Sequence, residues 1–172
     1  DQIRMCLGMS ECHAIGAHRV PVTCSVNAAA AREEEMKIVP VETAKTVVVV
    51  GAGPAGMEAA RVAALRGHKV YLADTKPRLG GTPATLAQDS NRRNLKDHAA
   101  YFEIELPRLG VELALGYKVS AADVIDFGAD TVVIATGGAP MTPDIVGAAS
   151  ANVVHSLDVL NGAQTSEHVL VV

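Results

Sequence analysis

Two groups of residues in this sequence have types and spacings that could support chemistry. The first is a Gly-x-Gly-x-x-Gly turn at residues 51–56, which directly follows the β-branched run Thr46–Val50. The second is a set of three cysteines within the first 35 residues: Cys6, Cys12 and Cys24. Such a glycine turn admits a phosphate group to the backbone, and thiolates are ligands for soft metals and iron–sulfur clusters. The sequence therefore predicts a nucleotide site and a separate candidate metal site.

Each glycine of the turn meets a different requirement. Gly51 permits the tight turn, Gly53 lets a phosphate reach the backbone, and Gly56 allows the helix to pack closely on the strand. The first N–H groups of the helix, which opens at Pro54 and Ala55, are unpaired and lie at the positive end of its dipole. A pyrophosphate could therefore bind there without a basic side chain.

An acidic residue follows at the position where a dinucleotide site needs one. Asp74 lies at the end of the next predicted strand, 18 residues beyond Gly56, and Thr75 comes directly after it. From there a carboxylate can accept hydrogen bonds from ribose hydroxyls. The competing interpretation is a tight strand–helix turn beside a surface aspartate. The preceding strand, the following helix and the acid together favour the nucleotide site.

Alternating strands and helices must position these residues. Hydrophobic periodicity predicts strands at residues 46–50, 69–73, 111–115 and 131–135, of which the first and last are expected to be buried. It predicts helices at residues 55–66, at 91–106 with Ser90 or Asn91 as its cap, and at 121–127 with a Ser120–Asp123 capping box. Residues 75–90 are expected to form a loop and residues 167–172 an apolar strand. The alternation predicts an α/β fold, an open parallel-sheet, Rossmann-like dinucleotide-binding domain preceded by a cysteine-containing loop segment.

Composition narrows the classes of partner. Apolar residues make up 49% of the 172 residues, with three Tyr, two Phe and no Trp, so we expect an aliphatic core. The net charge of −4 gives no reason to expect nucleic acid or a membrane surface as partner. No apolar run reaches the roughly 18 residues that a membrane span needs, and no signal-peptide pattern opens the chain. We therefore expect a cytoplasmic protein, for which a homo-oligomer is compatible with the sequence.

The glycine turn and two further stretches resemble the flavoprotein superfamily with two dinucleotide-binding domains. Residues 47–61 resemble its phosphate-binding segment, the Arg-Leu-Gly-Gly stretch at 78–81 its loop on the flavin side of the pyrophosphate, and residues 129–138 its Ala-Thr-Gly segment. The resemblance implies that FAD binds here. Asp74 stands where the superfamily usually has Glu, which keeps ADP as an alternative. The implied cofactor-binding residues are Gly51, Gly53, Pro54, Ala55, Gly56, Asp74, Thr75, Gly80, Gly81, Val119, which would back the adenine, Ala135, Thr136 and Gly137.

The cysteine segment resembles a narrower family, the NADH:flavin oxidoreductases of the old-yellow-enzyme type. Its members include 2,4-dienoyl-CoA reductase and trimethylamine dehydrogenase, and their iron–sulfur segment lies between an FMN-bearing barrel and the FAD domain. The resemblance implies Cys6, Cys12 and Cys24 as cluster ligands, whereas Met9 occupies the position of a fourth cysteine. A neutral thioether is a poor substitute for a thiolate. Three states stay open: a cluster with an unusual fourth ligand such as the adjacent His13, a three-iron cluster, or three plain thiols.

We accordingly expect the chain to be a piece of a longer oxidoreductase. Residues 1–35 would be the iron–sulfur-like segment, 36–45 a linker, 46–165 the FAD- or ADP-binding domain, and 166–172 the start of an NAD(P)-type subdomain. The implied function is electron transfer between NAD(P)H and an FMN barrel, as in enoate and dienoyl-CoA reductases, with the small-molecule substrate bound on the barrel. The alternative is an amine dehydrogenase or demethylase of the same family whose domain holds structural ADP. An ordinary NAD-dependent dehydrogenase is a third, less favoured interpretation.

Overall fold

A four-stranded, fully parallel sheet organises the protein. The computed structural model describes residues 3–16 and 21–172. Its strands are β1 (Thr46–Val50), β2 (Lys69–Asp74), β3 (Glu112–Leu115) and β4 (Thr131–Ile134), in the order β3-β2-β1-β4. This arrangement confirms the predicted α/β fold with an open parallel sheet. Because β1 lies between β2 and β4, the strand order reverses beside it, and ligands of such sheets bind outside the carboxyl ends of the strands at that reversal.

The helices alternate with the strands along the chain. Within the described residues they are α1 (Glu11–Gly16), α2 (Pro54–Leu65), α3 (Gly81–Leu86), a 3₁₀ helix (Ser90–Leu95), α4 (Lys96–Arg108), α5 (Ala121–Phe127) and α6 (Ser156–Leu160). The predicted capping box at the start of α5 is confirmed: Ser120 Oγ accepts from the Asp123 N–H, and the Asp123 carboxylate accepts from the Ser120 N–H. No helix of the described ranges is long and apolar enough to cross a membrane.

The core lies between one face of the sheet and helices α2 and α4. Aliphatic side chains of β1 and β2 pack there against Met57 and Ala60 of α2 and against Phe102 and Leu106 of α4. These four helical side chains have no exposed surface. Fully burying a side chain of that size stabilises a fold by about 1.5–3 kcal/mol. The packing therefore fixes α2, and with it the glycine turn at its start, against the central strand.

The expectation of a buried strand at residues 131–135 is wrong for the described protein. β4 lies at the edge of the sheet, and the side chains of Val132 and Ile134 are 40% and 78% exposed. A β-branched run predicts burial because most such runs lie inside a sheet. Here only β1 pairs with β4, so the neighbours that would cover these side chains are not in the described residues.

Three short helices lie where loops were expected, and one expected strand does not form. Helix α3 lies within the predicted loop 75–90, α1 lies within the cysteine segment, and α6 follows β4. Their five or six residues are too few to show a hydrophobic period. Residues 167–172 contain no strand, because no strand of the described residues lies beside them.

The helix predicted at residues 91–106 begins differently from the expectation. Asp89, not Ser90 or Asn91, is the cap, and its carboxylate accepts from the Asn91 N–H. The first turn is 3₁₀, with a kink at Arg92, and α4 then runs to Arg108. Asp89, Ser90 and Asn91 are consecutive and all of types that cap helices, so only the backbone geometry shows which one is the cap.

The first prediction concerns the contact between α2 and β1. A side-chain carbon added at Gly56 would overlap the carbonyl oxygen of Gly51, so Gly56→Ala must push the helix away from the strand. We expect the free energy of unfolding to fall by about 1–3 kcal/mol, measured by urea titration. Gly138→Ala is the matched control, because a carbon there meets nothing within 4 Å. Equal stabilities of the two variants would contradict the close contact.

Candidate functional site

The carboxyl ends of β1, β2 and β4 meet at the glycine turn. Gly51 has φ +108, and its N–H donates to the carbonyl of Ala73 at the end of β2 over 2.7 Å. On its other side, a side-chain carbon at Gly51 would overlap the Ala135 carbonyl just beyond β4. Only glycine fits between these neighbours in that conformation. The turn therefore sits at the reversal of strand order where a ligand is expected.

The start of α2 is shaped for an anion. Gly53 precedes the helix in an extended conformation and no side chain caps it, while Pro54 occupies the first turn. That turn has no acidic residue, so nothing in the helix offsets the positive end of its dipole. Exposed N–H groups at the start of a twelve-residue helix are a common binding site for phosphate.

The second glycine pair lies against this turn. Gly80 donates its N–H to the carbonyl of Ala52 over 2.9 Å. A side-chain carbon at Gly81 would stand 2.8 Å from the Cα of Gly53, whereas one at Gly53 meets only the Cα of Gly81, at 4.0 Å. The two loops thus form a narrow cleft lined by backbone, which a side chain at Gly53 would fill. Such a cradle fits a pyrophosphate group.

Asp74 holds the turn as well as facing the expected ribose position. Its Oδ2 accepts the N–H of Ala52 over 2.6 Å, and its Oδ1 accepts the N–H of Lys76 over 2.7 Å. The Thr75 hydroxyl also donates to Oδ1, over 3.5 Å. A carboxylate has about four acceptor positions, so these three hydrogen bonds leave capacity for a ribose hydroxyl. The residue that the sequence reasoning missed is Ala52, which is fully buried and bonds both Asp74 and Gly80. A small residue between the glycines was the only available signal.

The remaining predicted cofactor residues lie around the same edge. Ala135 is half-buried and donates to the Val50 carbonyl over 2.8 Å, and the exposed Thr136 and Gly137 follow it. The stretch after β3 is joined to Asp74 because the Tyr117 N–H donates to the Asp74 carbonyl over 3.0 Å. Val119 is half-buried two residues further on. The cofactor contacts of these residues stay predictions.

The three cysteines line one pocket, together with Met9. All are free thiols, with Cys6 and Cys12 exposed and Cys24 half-buried. The Gly8 N–H points to the Cys6 Sγ at 3.4 Å, a contact of the kind that tunes sulfur ligands. The segment brings together three residues that are 18 positions apart at the extremes.

Polar contacts hold the two halves of the cysteine segment together. The carboxylate of Glu11 accepts the Thr23 hydroxyl over 2.9 Å and the Ser25 hydroxyl over 3.2 Å. These bonds tie the stretch around Cys12 to the stretch around Cys24. The segment therefore keeps its thiols together through hydrogen bonds, with almost no apolar core of its own.

The cysteine pocket contains three sulfurs of the type that binds iron. Within residues 3–16 and 21–172, no three His, Cys, Asp or Glu side chains are close enough to hold one metal ion. The cysteines thus surround a shared pocket without converging on a single point. His13 is exposed and does not line this pocket, so the structure gives no support for it as the fourth ligand.

The sequence and the fold of this chain are both similar to those of known proteins. Residues 45–172 match the model of the pyridine nucleotide-disulphide oxidoreductase family. The chain is 42% identical over 153 residues to cinnamate reductase from Clostridium sporogenes, covering 86% of this chain and 22% of that protein. It is 40% identical over 149 residues to N,N-dimethylglycine/sarcosine dehydrogenase from Chromohalobacter salexigens, covering 84% and 22%.

Two solved structures extend the comparison. The chain resembles 2-naphthoyl-CoA reductase with a TM-score of 0.78 and 34% identity, covering 82% of this chain and 22% of that one. It resembles 6-hydroxypseudooxynicotine amine oxidase from Pseudomonas geniculata with a TM-score of 0.85 and 29% identity, covering 94% and 26%. The chain therefore spans about a quarter of the length of these relatives.

The second prediction concerns the cleft. Gly53→Val places a side chain where we expect the pyrophosphate, and its backbone conformation suits valine. Affinity for ADP, measured by calorimetry, should fall by at least about 100-fold because the phosphate loses its approach to the backbone. The thermal midpoint of the ligand-free protein should stay close to that of the parent. Retained affinity would refute the assignment of this cleft.

Proposed function

Because this chain belongs to the pyridine nucleotide-disulphide oxidoreductase family, we propose that it is the FAD-binding, electron-transfer part of a larger flavin and iron–sulfur enzyme. Membership implies an oxidoreductase that uses flavin and a pyridine nucleotide. In the proposed enzyme, electrons pass between NAD(P)H and the FMN of a barrel domain. Both cofactors bind to parts of the enzyme outside this chain. Cinnamate reductase, one of the reductases among its relatives, supports an enoate or enoyl-thioester substrate on that barrel.

The observation that carries the proposal is the backbone cleft at the start of α2. Gly53 and Gly81 would hold the pyrophosphate, and Asp74 would accept the adenosine ribose hydroxyls. When bound, FAD can accept two electrons together and pass them on one at a time. The chain's own part is to position the dinucleotide, because the cleft contributes backbone N–H groups and the Asp74 carboxylate contributes hydrogen-bond acceptors.

The second part of the proposal is an iron–sulfur cluster at the cysteine pocket. Cys6, Cys12 and Cys24 line that pocket as free thiols, and the Gly8 N–H reaches the Cys6 sulfur. We propose that these three thiolates hold iron, and that Met9 on the same pocket leaves one iron without a protein thiolate. A three-iron cluster or a four-iron cluster with a non-protein fourth ligand would both suit this donor set.

A second candidate function is an amine dehydrogenase or demethylase in which the cleft holds ADP as a structural ligand. Two observations favour it. Asp74 replaces the usual glutamate, and it already accepts two backbone N–H groups. Amine-oxidising proteins are also among the relatives, including dimethylamine dehydrogenase from Hyphomicrobium at 36% identity. Against it stands the pair Gly80 and Gly81, whose backbone lies close to Gly53 on the side where the flavin half of FAD would run, an approach that ADP alone would not require.

The third prediction separates FAD from ADP. The nucleotide released by denaturing the full-length protein should have the mass of FAD, and the native protein should absorb near about 450 nm from FAD as well as from FMN. One FAD per chain, counted separately from FMN by chromatography, supports the electron-transfer proposal. Release of ADP with FMN as the sole flavin would instead establish the structural-ligand alternative.

The fourth prediction concerns iron. Full-length protein purified without oxygen should contain iron and sulfide, and Cys12→Ser should lose most of both because thiolates are the cluster ligands. Met9→Cys should raise iron toward about four per chain by supplying the fourth thiolate. Ser166→Ala is the control, since its hydroxyl donates to the His168 carbonyl and the residue does not line the cysteine pocket. Parent protein without iron, even after reconstitution, would show that the cysteines hold no cluster.

A further inference from the structure

One arginine joins the cysteine segment to the dinucleotide-binding domain. The guanidinium of Arg4 donates from Nη1 to the carbonyl of Val26 over 2.7 Å and from Nη2 to the Glu58 carboxylate over 2.9 Å. Val26 lies two residues beyond Cys24, and Arg4 lies two residues before Cys6. Glu58 belongs to α2, the helix that starts at the glycine turn. Arg4 thus contacts both halves of the cysteine segment's fold and the helix of the nucleotide cleft.

The carboxylate that receives Arg4 is itself fixed. Arg61, one turn further along α2, donates to both oxygens of Glu58 over 2.9 and 2.7 Å. Burial by itself would raise the pKa of Glu58, but the hydrogen bonds and charges of Arg61 and Arg4 outweigh it and lower that pKa. Glu58 is therefore an ionised carboxylate that Arg4 and Arg61 hold in place. The side chains of Arg4 and Glu58 are only 19% and 24% exposed, so solvent screens their pairing less than it screens a surface ion pair.

Arg4 also packs on the aromatic side chains of α4. Its guanidinium carbon lies 4.8 Å from the ring centre of Tyr101 and 5.4 Å from that of Phe102. The two rings meet edge to face at 5.1 Å, and Phe102 is fully buried in the core. A planar guanidinium can stack on rings while its edge donates to a carboxylate and a carbonyl, which a lysine cannot do.

Within residues 3–16 and 21–35, Leu7 makes the other main contact of the cysteine segment with the domain. Leu7 is buried, and its carbonyl accepts from the side chain of Asn94. The other large apolar side chains near the first two cysteine positions are exposed: Ile3 at 72%, Met5 at 59% and Met9 at 57%. Among these apolar side chains near Cys6, Leu7 alone is buried. The hydrogen bonds and the ion pair of Arg4 therefore supply the other attachment of this stretch to the domain.

We propose that Arg4 is a positioning residue, which holds the cysteine pocket in a fixed place on α2 and α4 and so relative to the nucleotide cleft. Its consequence for electron transfer rests on the proposed function, because it requires a cluster in the pocket and a flavin in the cleft. The clamp itself does not. The rate of electron transfer between two centres depends on the distance between them. Arg4 keeps that distance constant, because it holds the cysteine pocket on the helix that both sites share.

The test replaces Arg4 in the full-length protein and measures backbone hydrogen exchange by mass spectrometry. In Arg4→Gln, amides of residues 3–12 and 21–27 should exchange about tenfold faster or more, because removing one partner of a partly buried charge pair leaves the other unpaired. Amides of the glycine turn should exchange at the parent rate, and the nucleotide content should not change. Arg4→Lys should restore only part of the protection.

Arg32→Gln is the matched control, because Arg32 lies in the same amino-terminal region and its guanidinium donates to the nearby Ala28 carbonyl over 3.0 Å. It should leave exchange around the cysteines unchanged. Glu58→Gln should reproduce the Arg4→Gln effect, and the double variant should add little, as expected for one shared interaction. Parent-like exchange of the cysteine segment in Arg4→Gln would overturn the proposal.

Iron and nucleotide analyses of the same samples test the proposed function separately from the role of Arg4. A parent protein that lacks iron or FAD contradicts the proposed function, yet the exchange result still decides whether Arg4 positions the segment. Where the parent contains iron, Arg4→Gln should lose it faster than Arg32→Gln on exposure to a chelator. Equal loss in both variants would show that the pocket keeps its shape without the clamp.

Discussion

The close approach of helix α2 to strand β1 is the constraint on which the rest of the structure depends. Gly51 and Gly56 leave no room for side chains between the helix, the strand and the end of β4. This contact directs the first turn of α2 to the place where the strand order reverses, and it leaves the N–H groups of that turn free. The opposing pair Gly80 and Gly81 then closes the other side of the cleft, held there by Ala52. The proposed nucleotide cleft therefore results from close backbone packing and from the hydrogen bonds of Ala52.

Helix α2 links the two candidate sites of the chain. Its start faces the nucleotide cleft, and Glu58, within its second turn, receives Arg4 from the cysteine segment. The opposite side of the same helix packs Met57 and Ala60 into the core, so the helix cannot move without disturbing the sheet. One rigid element thus borders the proposed nucleotide cleft and, through Arg4, holds the cysteine segment. That arrangement suits a protein whose proposed task is to keep two redox centres at a fixed separation.

The sequence predicted the parts of the site that are local and periodic. The β-branched run of β1, the glycine spacing and Asp74 fix one another within about thirty residues, the length of a βαβ unit. It did not predict contacts between distant residues. Asp74 bracing Ala52, Gly81 meeting Gly53 and Arg4 reaching Glu58 span 22 to 54 positions and obey no periodicity. The exposure of β4 was also hidden, because a β-branched run looks the same at an edge as in the centre.

A crystal structure of the full-length protein, recorded with anomalous data at the iron edge, tests the central claim most directly. We expect density for a dinucleotide whose pyrophosphate lies against the first turn of α2 beside Gly53 and Gly81, with its ribose against Asp74. We also expect anomalous density for an iron cluster in the cysteine pocket, with a different iron within bonding distance of each sulfur of Cys6, Cys12 and Cys24. A cleft filled by another segment of the protein, or a dinucleotide bound elsewhere, would contradict that claim.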